Sequence, residues 1–116
     1  MLEDTTQALL TATLIGTALQ VAMVLAGHRS KKVADLFAVG GMGISLLAGV
    51  LYVIMGHPDA MATAAAGGAI AGGVCAFIGI LVSYLLKDVP ASLLALGTLS
   101  SVVTGAIGGA LAHWLG

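Results

Sequence analysis

The sequence predicts an all-α, polytopic membrane protein of four transmembrane helices, on three observations. Hydrophobic residues make up 59% of the 116-residue chain and charged residues 8%, where a soluble domain carries about 25% charged residues. The apolar residues fall into four runs separated only by short charged or Pro/Gly-containing connections. All four Lys/Arg residues lie in the first and third of those connections. Four basic and five acidic side chains cannot clothe a chain of this length in water. Lipid can cover what they do not, so residues 1–116 read as a single integral membrane domain.

The first span is expected over about residues 5–27. Its leading residues, Met1-Leu2-Glu3-Asp4-Thr5-Thr6, are acidic where a cleavable signal peptide would be basic. The run ends at His28-Arg29-Ser30-Lys31-Lys32. A second span covers about 33–56 and stops at His57-Pro58-Asp59, because proline cannot continue a helix that needs its N–H. The third takes about 60–86, ending at Lys87-Asp88-Val89-Pro90, and the fourth about 91–115. Each run holds about 20 residues or more, the length that crosses a ~30 Å hydrocarbon core at 1.5 Å per residue. Strands of a membrane barrel would be half as long and would alternate polar with apolar.

Arg29, Lys31, Lys32 and Lys87 fix the expected orientation. Connections 28–32 and 87–90 belong in the cytoplasm and both termini outside, in the cell (inner or plasma) membrane. The same four cations would contact anionic lipid headgroups. Tyr84 fits the inner interface, and Tyr52 and Trp114 the outer one. Asp35, four residues after Lys31, is placed for a local ion pair.

Two tandem helical hairpins are suggested by a weak internal match. A shift of 52 lays Thr11, Ala12 and Gly16 on Thr63, Ala64 and Gly68. A shift of 56 lays Gly41, Ser45 and Gly49 on Gly97, Ser101 and Gly105. The frequency of small residues makes chance the competing account.

Small side chains also recur every four residues. Ala8, Ala12, Gly16 and Gln20 share a face of the first span, and Gly41, Ser45 and Gly49 of the second. Ala64, Gly68, Gly72 and Ala76 do so in the third, and Gly97, Ser101, Gly105 and Gly109 in the fourth. In lipid, helices associate through close backbone approach across such faces. Packing within one bundle is the plain use. Every span carries a face, however, so assembly between copies is expected as well, with a homo-oligomer or a membrane-complex partner.

Polar chemistry is sparse. Gln20 is the one strongly polar side chain near mid-membrane, and structural bridging between helices is its expected role. No intramembrane carboxylate exists, which argues against a proton-coupled carrier built on one. Cys75 is a lone cysteine in an apolar run, expected to pack inertly. His57 and His113 with Asp59 fall short of the three or four converging ligands of a metal site. There is no phosphate loop, no nucleic-acid surface and no catalytic set, so neither enzyme activity nor a cofactor is expected.

Three functions fit. The leading expectation is permeation, as an oligomeric channel, pore or holin-like protein. The second is structural, a subunit of a larger membrane complex or a pilin-like helical polymer. The third, a small secondary transporter, ranks lower because both prolines lie in connections instead of breaking a span.

Overall fold

The structure is a computed structural model describing residues 2–34, 37–87 and 89–116, with side chains from residue 6 onward except 33–39 and 88. Asp35 and Asp88 lie outside the described residues, so the expected Lys31–Asp35 pair is not assessed.

Helix α1 runs Leu2–Arg29, a four-residue turn α2 spans Lys31–Ala34, and α3 runs Phe37–Gly56. Helices α4, Met61–Leu85, and α5, Ser92–Leu115, complete the chain. The expected second span began near residue 33; helix is described through Ala34 in α2 and again from Phe37 in α3, with residues 35–36 outside the described residues.

The stops have local causes. Helix α3 ends where His57 turns left-handed (φ 46°), its N–H still bonded to the Val53 carbonyl at 2.9 Å, and Pro58 prevents continuation. Helix α4 closes in the same way. Lys87 (φ 64°) donates to the Tyr84 carbonyl at 2.9 Å, and Leu86 to that of Val82 at 3.0 Å. Helix α5 starts just after Pro90, whose carbonyl accepts from Leu93 at 3.1 Å.

Three helices are long and apolar enough to cross a membrane, over Thr6–Arg29, Met61–Leu85 and Ser92–Leu115, with a shorter apolar stretch at Gly40–Gly56. The distribution of side chains is inverted relative to a soluble domain. Alanines 12, 64 and 71 are fully buried, while Leu14, Leu85, Leu99 and Trp114 are mostly exposed. Large apolar groups outside and small ones inside are what a lipid solvent permits. The chain is an apolar helical bundle consistent with a multi-pass membrane protein.

Helices α3 and α4 touch each other and both flanking helices, with α1 on one side and α5 on the other. The closest approach is a glycine crossing. A Cβ built on Gly49 or Gly68 would fall on the Gly105 carbonyl oxygen, and one on Gly109 on that of Ala64. A Cβ on Gly72 would lie 2.9 Å from the Gly105 Cα and 3.1 Å from the Ser45 oxygen. Backbone therefore meets backbone, with no side chain between. Nearer α1, Gly16 admits Cys75, whose sulfur would lie 3.0 Å from an added Cβ.

Tyr52 departs from the sequence expectation. It is buried rather than interfacial, because Gly67 leaves room for its ring; a Cβ there would overlap the ring carbons. Tyr84 and Trp114 are exposed as expected of interfacial residues.

Candidate functional site

Gln20 is 2% exposed and joins three helices. Its Nε2 donates to the Gly41 carbonyl at 3.1 Å and to Ser45 Oγ at 3.4 Å. Cys75 Sγ lies 4.0 Å from the same nitrogen. Ser45 Oγ donates in turn to the Gly72 carbonyl at 3.3 Å, which also accepts from Cys75 Sγ at 3.3 Å. Both amide hydrogens of Gln20 are thus committed inside the bundle. In an apolar interior such a network is favoured because the alternative is an unsatisfied group.

On the side of Gln20 away from the glycine crossing lies a cavity of ≈ 410 Å³. Gln20, Ala76 and Ser101 form its floor, each about nine residues, or about 14 Å, from the end of the bundle that carries Arg29 and Lys87. Met23, Ile80, Leu93 and Leu96 make its apolar walls. Ser83 lines it near that basic end; the residue is 2% exposed and its hydroxyl has no hydrogen-bond partner. Among the described residues, no ionisable side chain lines the cavity.

Three of its sides are sealed. Met23 lies over Gly40 between α1 and α3, and Gln20 over Gly79 between α1 and α4. Ile80 covers Gly97 between α4 and α5. On the fourth side Met42 of α3 and Leu96 and Ser100 of α5 all line the cavity and are exposed. Helices α3 and α5 come together beyond the floor, through Gly49 with Gly105 and Leu46 with Gly108.

The residues singled out from sequence thus divide in three. Gly16, Gly49, Gly68, Gly72, Gly105 and Gly109 are spent on close packing within the chain. Gln20, Gly41, Ser45, Gly97 and Ser101 belong to the polar network or the cavity. Arg29, Lys31, Lys32 and Lys87 are all exposed at one end of the bundle. Thr104 returns its hydroxyl to the preceding turn, donating to the Ser100 carbonyl at 2.8 Å, whereas the buried hydroxyls of Thr17 and Thr98 have no hydrogen-bond partner.

Ser83 and the cavity walls were not singled out from the sequence, although a signal existed. The small-residue face of α4 passes from Ala76 to Ile80, and that of α1 from Gly16 to Gln20 and Val24. Larger side chains on the same faces hold the helices apart. Among the described residues, no group of three or more His, Cys, Asp or Glu residues is arranged to hold a metal. Compared with known proteins, the chain matches no family model, no curated protein and no solved structure.

Proposed function

We propose that this chain is a four-span membrane protein that passes a small solute across the bilayer, holding it in the cavity beside Gln20. In this reading α3, at 20 residues, crosses as well, since about 30 Å of helix suffices. The basic connections face the cytoplasm and both termini the outside of an inner or plasma membrane. The carrying observation is the ≈ 410 Å³ cavity with an open flank in an otherwise close-packed bundle. A volume of that size suits a small-molecule site. Passage requires the glycine crossing to part, or a second copy to complete the path.

The test is release of preloaded labelled solutes, charged and uncharged, from liposomes containing the purified chain. At least one should leave faster than from protein-free liposomes, and Ser100→Trp at the open flank should return that rate toward the blank. Equal rates for every solute, with and without protein, would remove the proposal.

A structural role through self-association is the second reading. It is favoured by Ala18, Ala22 and Ala26, an outward-facing stripe of small residues on α1 left over after the inward faces are used. Here Ala22→Leu should lower the particle mass in mild detergent. An unchanged mass for that variant, or a monomeric parent protein, rules this face out.

A further inference from the structure

We propose that the cavity takes an uncharged amphiphile, which enters sideways from the bilayer between α3 and α5 and is held by its hydroxyl or carbonyl group at Ser83. The proposal rests on the cavity being the solute site and adds the chemical class and the route. Three observations carry it.

The first is the unsealed flank. Met23 over Gly40, Gln20 over Gly79 and Ile80 over Gly97 close the other three walls, while Met42, Leu96 and Ser100 stand exposed between α3 and α5. In a membrane that opening faces acyl chains instead of water.

The second is that, among the described residues, no ionisable group lines the cavity. An ion at the floor, about 14 Å from the basic end, would lose its hydration and find no opposite charge among the described lining residues. The nearby cations are exposed and therefore available to headgroup phosphates outside the cavity.

The third is the placement of hydrogen-bonding capacity. At the floor both Nε2 hydrogens of Gln20 are used on Gly41 and Ser45, which leaves its amide no free donor. Ser83, two residues before the end of α4, holds a buried hydroxyl with no partner. A hydroxyl both donates and accepts, so it matches an alcohol or a carbonyl. From Ser83 inward the walls are Leu96, Ile80 and Met23. A polar head at the membrane surface with an apolar body directed toward the midplane is the posture of an amphiphile within one leaflet.

The experiment uses the full chain in phosphatidylcholine liposomes and a ten-carbon alcohol carrying a photoreactive diazirine near its chain end. Adducts should map to Met23, Ile80 or Leu96, and free decanol should compete. Ser83→Ala should weaken competition about three- to tenfold, the effect of one neutral hydrogen bond. Leu96→Trp, at an exposed position that need not disturb the fold, should abolish the cavity adducts. Adducts confined to outward residues such as Leu14 and Leu99, and insensitive to Leu96→Trp, would overturn the proposal. Competition by glycerol as strong as by decanol would overturn the amphiphile class, and by decyl phosphate the requirement for neutrality. Specific labelling without solute release refutes passage while leaving the ligand class standing. Release without specific labelling does the reverse.

Discussion

Replacing Gly105 by alanine adds one methyl group at the place where the bundle has least room for it. The new Cβ would fall on the Gly68 carbonyl oxygen, with the Gly68 carbonyl carbon 3.1 Å and the Gly72 Cα 3.0 Å away. All three are backbone atoms of α4, so no rotamer change relieves the overlap. Ordinary contact requires roughly 3.5–4 Å. Helices α4 and α5 must therefore part by about 1 Å, which forfeits a quarter to a half of the attraction of every contact along the seam. Overpacking in a tight interior costs about 1–3 kcal/mol, and this position belongs at the upper end because only backbone can yield. Gly43 is the matched control. It is exposed, a Cβ there meets nothing within 4 Å, and it lies within helix α3. Gly43→Ala should stabilise by about 0.5–1 kcal/mol through helix propensity alone. Both variants would be unfolded by dodecyl sulfate titration in mixed micelles, followed by far-ultraviolet circular dichroism. Wild-type stability in Gly105→Ala, or equal destabilisation of the two variants, would refute the glycine crossing as the principal contact.

Three further outcomes follow from the same geometry. Gln20→Leu should destabilise by about 1 kcal/mol in that titration, since it removes the bonds to the Gly41 carbonyl and the Ser45 hydroxyl; an unaltered midpoint would mean the network is idle. Cys75, fully buried behind Gly16, should resist maleimide in mild detergent and react once the bundle is unfolded; prompt modification of the folded protein would contradict this packing. His57→Gly should stabilise by about 0.5–1 kcal/mol, because relief of a left-handed non-glycine residue outweighs the added chain entropy; a loss of stability would assign the imidazole a contact of its own.

Most of the fold was legible because lipid simplifies the code. Hydropathy with Pro and basic punctuation marked α1, α4 and α5 within a few residues of their observed ends. Four-residue spacing identified the inward faces, but spacing cannot name the partner face. That Gly105 meets Gly68 while Gly16 meets Cys75 depends on which helices become neighbours. Tyr52 was misread because amphipathic rings favour interfaces in general, whereas Gly67, on another helix, makes a specific place for this one. Gln20 stood out as a lone polar group. The cavity beside it did not, because it is assembled from four helices and depends on a gradual change in side-chain size along them.

The glycine crossing also has a mechanical consequence. Where side chains interlock, one helix turns against another only by disengaging them. At the crossing of α5 with α3 and α4, backbone surfaces lie in contact, and the interlock beside them is Val102 of α5 over Gly73 of α4. The arrangement is that of a keyed bearing: fixed in position, with a small angular play about the key and the exposed flank of the cavity at the far end of the lever. A tilt of α5 by about 5° about Gly105 would displace its start, about 20 Å away, by nearly 2 Å. Spin-label distances from α3 to α5 should therefore be narrowly distributed beside Gly49 and Gly105 and broad beside Met42 and Leu96. Equal widths at both levels would mean that α5 does not rock.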